Sequence, residues 1–340
     1  ALYVHIRSGT SWSQQAKLTP SDPEDNSFFG ERVALDTNTI VVGARRIDTN
    51  GTDSGAAYVF IRSGTSWSQQ AKLTASDAAA NDNFGHSVAI SGDTIIVGAN
   101  NEQGSTNGNA GAVYVFTRSG TTWSQEAKVV PSDAQSNDAF GDSVSLSSDT
   151  LIVGSSKEDS TADAAGSAYI FTRSGTSWSQ QAKIQSSDIE ASDLFGQDVA
   201  ISGDTVVVAA HYEDTGGSSA GSVYVFTRSG TSWSQEAKLQ PSDVAAGDNF
   251  GFSVSIEGDI LAVGARYEET GATNGGAAYV FTRSGTSWSQ QVKVTSSDIG
   301  ATDRFGNDIE ISGNTILVGA ESEDGGFSSD AGAAYTFVAG

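Results

Sequence analysis

Six tryptophans, Trp12, Trp67, Trp123, Trp178, Trp233 and Trp288, recur every 55 or 56 residues along a chain of 340. Phe-Gly keeps the same step at Phe29, Phe84, Phe140, Phe195, Phe250 and Phe305. An Ala-Tyr-Val-Phe-like run recurs around Tyr58, Tyr114, Tyr169, Tyr224, Tyr279 and Tyr335, with a further copy at Tyr3. A fixed period of this size means one supersecondary unit copied along an array, each copy burying its apolar face against the next. A residue present in every copy serves that frame first. Specific chemistry is therefore to be sought where the copies differ.

One copy reads as strands. Ser87-Val88-Ala89-Ile90-Ser91 alternates like a half-buried strand, and Gly92-Asp93 suits a two-residue hairpin turn. Thr94-Ile95-Ile96-Val97-Gly98-Ala99 is a β-branched apolar run fit for an inner strand covered on both faces. After a polar loop, Ala112 to Thr117 gives a third strand, and Trp123 to Val129 a more polar fourth one suited to an outer edge. No segment has helical periodicity. The expectation is an all-β chain, a β-propeller of four-stranded antiparallel blades forming a single domain over residues 1–340. Strand types count six first, six second, six fourth and seven third, so six blades are expected. The last would be shared between residues 1–18 and 307–338, closing the ring by pairing N- and C-terminal strands, with one third strand to spare.

The chain carries 41 acidic and 18 basic residues, a net charge of −23, and twelve of the basic ones fall at repeated Arg and Lys positions such as Arg118 and Lys128. Such a field repels phosphate backbones and anionic membranes, which argues against nucleic acid as a partner. With no cysteine, disulfides and thiolate metal sites are excluded. His5, His86 and His211 sit at unrelated repeat positions. No apolar run approaches the roughly 20 residues of a membrane span, so no membrane insertion is expected. The start within a strand, at Ala1-Leu2-Tyr3-Val4, reads as a mature or trimmed chain.

Phe84-Gly85 with Ser87-Val88, then Val97-Gly98-Ala99, then Gly111 with Tyr114-Val115-Phe116, resemble the FG-GAP repeats of the integrin α-subunit propeller. The likeness is closest to the bacterial and algal variety in which a Trp-Ser-Gln-Gln-Ala-Lys strand follows each Tyr-Val-Phe strand, and it covers essentially the whole chain. The proline of "GAP" is replaced in every copy, by Arg45, Asn100, Ser156, His211, Arg266 and Glu321. The Asp-x-Asp-x-Asp-Gly calcium loop of many such repeats is absent. Its place is taken by turns such as Gly92-Asp93, too short to wrap an ion needing about six to eight oxygens. The resemblance implies a secreted or cell-surface adhesion or recognition scaffold.

Two sets of residues carry candidate chemistry. Paired acids precede each Phe-Gly: Asp77 and Asp82, Asp133 and Asp138, Asp188 and Asp193, Asp243 and Asp248, Asp298 and Asp303. The loop between second and third strands adds Glu102, Glu158, Glu213, Glu268 and Glu323-Asp324. In an up-and-down blade these loops share a face, where carboxylates either hold Ca²⁺, a hard cation preferring oxygen, or cap turns through backbone N–H groups. On that face the residues following Gly-Ala vary from copy to copy. Arg45, Arg46, Asn100, Asn101, His211, Tyr212, Arg266 and Tyr267 are the candidate ligand-binding residues.

No nucleophile, acid pair or metal cluster stands apart from the repeat, so no catalytic residues and no enzyme are expected. Ser63-Gly64-Thr65-Ser66-Trp67 is similar to the Asp-box turn of sialidases but has Arg62 where the Asp would stand. The favoured reading is a non-enzymatic binding scaffold for a protein or glycan. Self-assembly through the spare third strand is the alternative, and a glycan-processing enzyme on the same frame stands behind both.

Overall fold

A computed structural model describes residues 1–103, 108–323 and 332–338; Asp324 lies outside them. The described residues are all strand, turn and loop, and no helix is long and apolar enough to cross a membrane. The chain divides into two compact units, Ala1–Asp149 with Thr172–Gln180, and Thr150–Phe171 with Gln181–Gly340.

The first unit opens with a hairpin of β1 (Leu2–Ser8) and β2 (Ser11–Leu18). Two four-stranded antiparallel sheets follow in chain order. One is β3 (Val33–Asp36), β4 (Thr39–Ala44), β5 (Ala56–Ser63) and β6 (Ser66–Leu73); the other is β7 (Ser87–Ser91), β8 (Thr94–Ala99), β9 (Ala112–Ser119) and β10 (Thr122–Val129). The next repeat, β11 (Phe140–Ser147), β12 (Thr150–Ser155), β13 (Ser167–Ser174) and β14 (Ser177–Ile184), keeps the same order and contains the unit boundary.

The second unit continues with β15 (Val199–Ser202), β16 (Thr205–Ala210), β17 (Ser222–Ser229) and β18 (Ser232–Leu239). After them come β19 (Phe250–Glu257), β20 (Ile260–Ala265), β21 (Ala277–Ser284) and β22 (Ser287–Val294). It ends in a three-stranded sheet of β23 (Phe305–Ser312), β24 (Thr315–Ala320) and β25 (Ala333–Val338). Six repeats thus form antiparallel blades of the β-propeller type.

The sharing of the last blade differs from the strand count's expectation. Among these sheets, β2 pairs with β1 from Leu2↔Leu18 to Ser8↔Ser11, while β25 takes the third-strand seat beside β24, from Thr315↔Val338 to Ala320↔Ala333. A third strand that follows β24 along the chain closes a shorter loop than one brought from the other terminus, and ordering it costs less. Among the described residues the third strand outside a larger sheet is therefore β1, and the β23–β25 sheet has three strands.

The core follows from the repeated residues. The inner second strands are buried along their β-branched runs, as in β8, except β24, where Leu317 is exposed. Phe84 is fully buried and meets Tyr114 and Phe116 of its own blade at centroid distances of 5.4 and 5.9 Å. Phe250 does the same with Tyr279 and Phe281 at 5.6 and 6.0 Å. These tilted and edge-on geometries add to the area the rings bury. Gly276 (φ +84°) explains the glycine before each third strand: a Cβ there would collide with the carbonyl of Phe305 in the next blade.

The outer tie is equally regular. Trp123 donates through Nε1 to Gln70 on the preceding outer strand at 2.8 Å, while Arg118 lies over its ring and reaches Thr39. Trp233 and Gln181 repeat the bond at 2.8 Å in the second unit. Trp12 on β2 is 45% exposed.

Candidate functional site

The varying residues lie where inner strands end. β4, β8, β16 and β20 each finish in an Ala, and the varying pair follows it directly. In a blade, the loop before the first strand and the loop after the second meet on one side. The Tyr267 N–H donates to the Asp248 carbonyl at 3.3 Å, and Asn101 Nδ2 donates to the Asn81 carbonyl at 2.7 Å.

In the first unit this site is neutralised from within. Arg45 donates to both oxygens of Glu31, at 2.7 and 3.1 Å, a bidentate pair. Burial pushes the Glu31 carboxyl up, but the bonds from Arg45 outweigh it and hold the group below its ordinary value. Arg45 and Arg46 also flank the Phe28 ring at 4.6 and 4.7 Å. Asn100 Nδ2 donates to Asp142 at 2.7 Å, and His86 Nε2 lies 3.6 Å from the same carboxylate. Burial lowers the His86 pKa against the opposing pull of Asp142.

In the second unit Arg266 has no carboxylate in hydrogen-bond contact among the described residues. The Arg266 guanidinium lies 3.5 Å from the centroid of Phe252 and 4.5 Å from that of Tyr267. Its Nε is buried without a hydrogen-bond partner among the described residues. Desolvation lowers its pKa, the Tyr267 phenol opposes, and Arg304 adds to the lowering. His211 is 3% exposed, packs edge-on against Phe252 at 5.5 Å and against Tyr212 at 4.1 Å, and leaves Nδ1 without a partner. Burial, with Arg266 adding to it, pushes its pKa down to about 4, so the ring is neutral at physiological pH. Glu321 stands 3.5 Å from Arg304.

The paired acids do two separate jobs. In three pairs the first acid meets the outer-strand lysine: Lys128 Nζ donates to Asp77 at 2.7 Å and to the buried Glu102 at 2.8 Å. Lys238 bonds Asp188 and Glu213 at 2.6 and 2.8 Å, and Lys293 bonds Asp243 and Glu268 at 2.7 and 2.8 Å. Tyr335 OH donates to Asp298 at 2.8 Å. Burial pushes the Asp188 carboxyl up, yet the bond from Lys238 and the neighbouring Tyr224 hydroxyl bring it below its ordinary value.

The second acid caps its own turn. Backbone N–H groups of Ala79, Gln135, Glu190, Ala245 and Gly300 donate to Asp82, Asp138, Asp193, Asp248 and Asp303. Burial, with Glu213 nearby, raises Asp193 to about 6. An ammonium group already sits among the oxygens of three lysine sites, and no group of three or more His, Cys, Asp or Glu among the described residues is arranged to hold a metal. Asp133 has partners as well.

The repeat frame and its Phe-Gly, Gly-Ala and Tyr-Val-Phe elements can now be set beside known proteins. The model of the FG-GAP repeat matches residues 12–60, 67–116, 123–171, 178–226, 233–281 and 288–337. The chain belongs to the FG-GAP repeat family. No curated protein matches it. Each match of the FG-GAP model begins at a tryptophan and ends in a third strand, so the family repeat straddles two blades. FG-GAP repeats are typical of extracellular proteins, and a propeller of this type is compatible with protein binding.

The structure brings Arg266, Tyr267, His211 and Tyr212 into one cluster, while Arg45 with Arg46 and Asn100 with Asn101 stand in separate ones. Sequence reasoning missed the residue directly after each Phe-Gly: Glu31, His86, Asp142 and Phe252. The signal was present, since that position varies between copies as the one after Gly-Ala does.

Proposed function

We propose that this chain is a secreted or cell-surface, non-enzymatic binding scaffold that recognises a protein or glycan through the loop face carrying the post-Gly-Ala residues. The observation that carries this reading is the cluster of His211, Tyr212, Phe252, Arg266 and Tyr267. There the residues that differ between copies gather around a cation without a carboxylate in hydrogen-bond contact among the described residues. Aromatic and arginine side chains on rigid strand ends are the residue types that dominate recognition surfaces.

The test is a panel of immobilised extracellular glycans and matrix proteins, probed with the wild-type chain and a Tyr212→Ala/Tyr267→Ala double variant of unchanged melting temperature. A ligand that binds the first and is lost with the second supports the reading. Panel binding unaffected by the double variant would refute it.

A second reading, self-association by strand exchange, has its own observation. The β23–β25 sheet has no fourth strand among the described residues, and β1–β2 is a third–fourth strand pair outside any four-stranded sheet, exposing Tyr3 and Trp12. The occupant of the vacant seat would be Ser11–Leu18 of a second copy, the segment type that fills it in the other blades. Light scattering that finds a monomer at every concentration would dismiss it.

A further inference from the structure

We infer that the Arg266 cluster is a recognition site for the carboxylate of an acidic saccharide, a uronic-acid-type sugar whose ring packs on the neighbouring tyrosines. The inference rests on the binding-scaffold reading and assigns a ligand class to its loop face.

Directly after Phe-Gly the first unit has Glu31, His86 and Asp142, and the two carboxylates engage Arg45 and Asn100. In the second unit the same position holds Gln197, Phe252 and Asn307. Phe252 stands where Glu31 stands relative to its arginine, so a ring face replaces a counter-ion. A guanidinium stacked on aromatic faces is held in place and weakly hydrated, while its N–H edge stays free to grip a planar, two-oxygen anion. Arg304, itself paired with Glu321 at 3.5 Å, lies beside Tyr267 with its guanidinium 5.9 Å from that ring. Arg266 Nε and His211 Nδ1 are both buried and without partners among the described residues. Buried polar atoms of this kind are rare, and each calls for a partner the protein does not supply.

The charge of the ligand follows from the rest of the chain. A net charge of −23 opposes a multiply charged anion, so a single carboxylate is favoured over a phosphate. The body of the ligand follows from the rings: Tyr212, 39% exposed, and half-buried Tyr267 offer apolar faces rimmed by hydroxyls, as a sugar's C–H face and hydroxyl edge require. The site lies at strand ends and not along a strand edge, so it offers an extended peptide no backbone ladder to join.

The experiment is titration calorimetry of the full chain with glucuronate and its oligomers, glucose as neutral control, and a capped aspartate peptide. Variants are Arg266→Ala, Phe252→Gln and Phe252→Glu, the last placing at Arg266 the counter-ion that Arg45 already has. Glucuronate should bind the wild type at least about tenfold more tightly than glucose or the peptide, and Phe252→Glu and Arg266→Ala should each weaken it about tenfold or more. Phe252→Gln, which removes the ring without adding charge, should weaken it less than Phe252→Glu. Glucose binding as well as glucuronate, or undiminished glucuronate binding by a folded Phe252→Glu chain, overturns the carboxylate site. Peptide binding that matches glucuronate overturns the saccharide assignment. None of these touches the broader reading, which fails only if the double tyrosine variant leaves panel binding intact.

Discussion

Two strand ends built on the same frame have opposite endings. After β4 the chain presents Arg45 and closes it with Glu31 at 2.7 Å; after β20 it presents Arg266 and lays it on Phe252 at 3.5 Å. Blade geometry is common to both: Phe29, partly buried, meets Tyr58 and Phe60 at 5.6 and 6.2 Å, and the fully buried Phe250 meets Tyr279 and Phe281 at 5.6 and 6.0 Å. One side chain directly after Phe-Gly therefore decides whether the cation is satisfied from within or left to a ligand. The array fixes the stage, and single positions on it are free to change role.

The largest effects test whether the frame really is common. Phe84→Ala and Phe250→Ala should each cost about 3–5 kcal/mol in chemical denaturation, in line with truncation of a core phenylalanine. A cost confined to one of them would break the comparison at its base. Next comes the lysine tie. Lys128→Met and Lys238→Met strand the buried Glu102 and Glu213, and because each lysine keeps some contact with water the cost should be about 2–3 kcal/mol. Adding Glu213→Gln to Lys238→Met should recover part of it, and no recovery would mean the glutamate is not what the lysine satisfies.

The turn caps give a pH signature. Asp193 titrates at about 6 in the folded chain, above its ordinary value of 3.8, so the folded state holds the proton more tightly. The stability it brings is complete below about pH 4 and is lost as pH rises through 6. Asp193→Asn keeps an oxygen for the Glu190 N–H and removes that loss. The variant should gain roughly 1–2 kcal/mol over the wild type at pH 7 and nothing at pH 3.5. A constant difference at both values would assign the effect to packing.

Smaller still, Arg45→Ala should cost about 0.5–1 kcal/mol, shrinking in high salt, and should let the Glu31 carboxyl rise in an NMR titration. Arg266→Ala, with no ion pair to lose, should show no such salt dependence, and matching salt profiles would erase the contrast. Smallest is calcium: with lysine ammonium groups among the carboxylates, millimolar calcium and chelator should leave the melting temperature unchanged. A rise with calcium, abolished by Asp188→Asn, would show that the ion displaces Lys238.

The blades were legible in the sequence because their signals are local. A β-branched run between hairpin turns gives β8 from Thr94 to Ala99 as read, and β7 likewise from Ser87 to Ser91. The terminal arrangement was not, because β1 and β25 carry the same strand-type signature and composition cannot say which takes the seat beside β24. The post-Gly-Ala half of the site was found through its variation. Its other half escaped because Glu31 and Phe252 read as the start of a strand, and only the hairpin of first and second strands brings them back to Arg45 and Arg266, 14 residues on.

The tryptophan ties have a direction. Trp67 reaches back to Gln15, Trp123 to Gln70, and in the second unit Trp233 to Gln181 and Trp288 to Glu236, always to a strand already made. Each new blade thus finds its docking surface complete as it leaves the ribosome, and every closure spans a similar length of chain. Synthesis itself can assemble such an array, adding one repeat at a time without waiting for the far end.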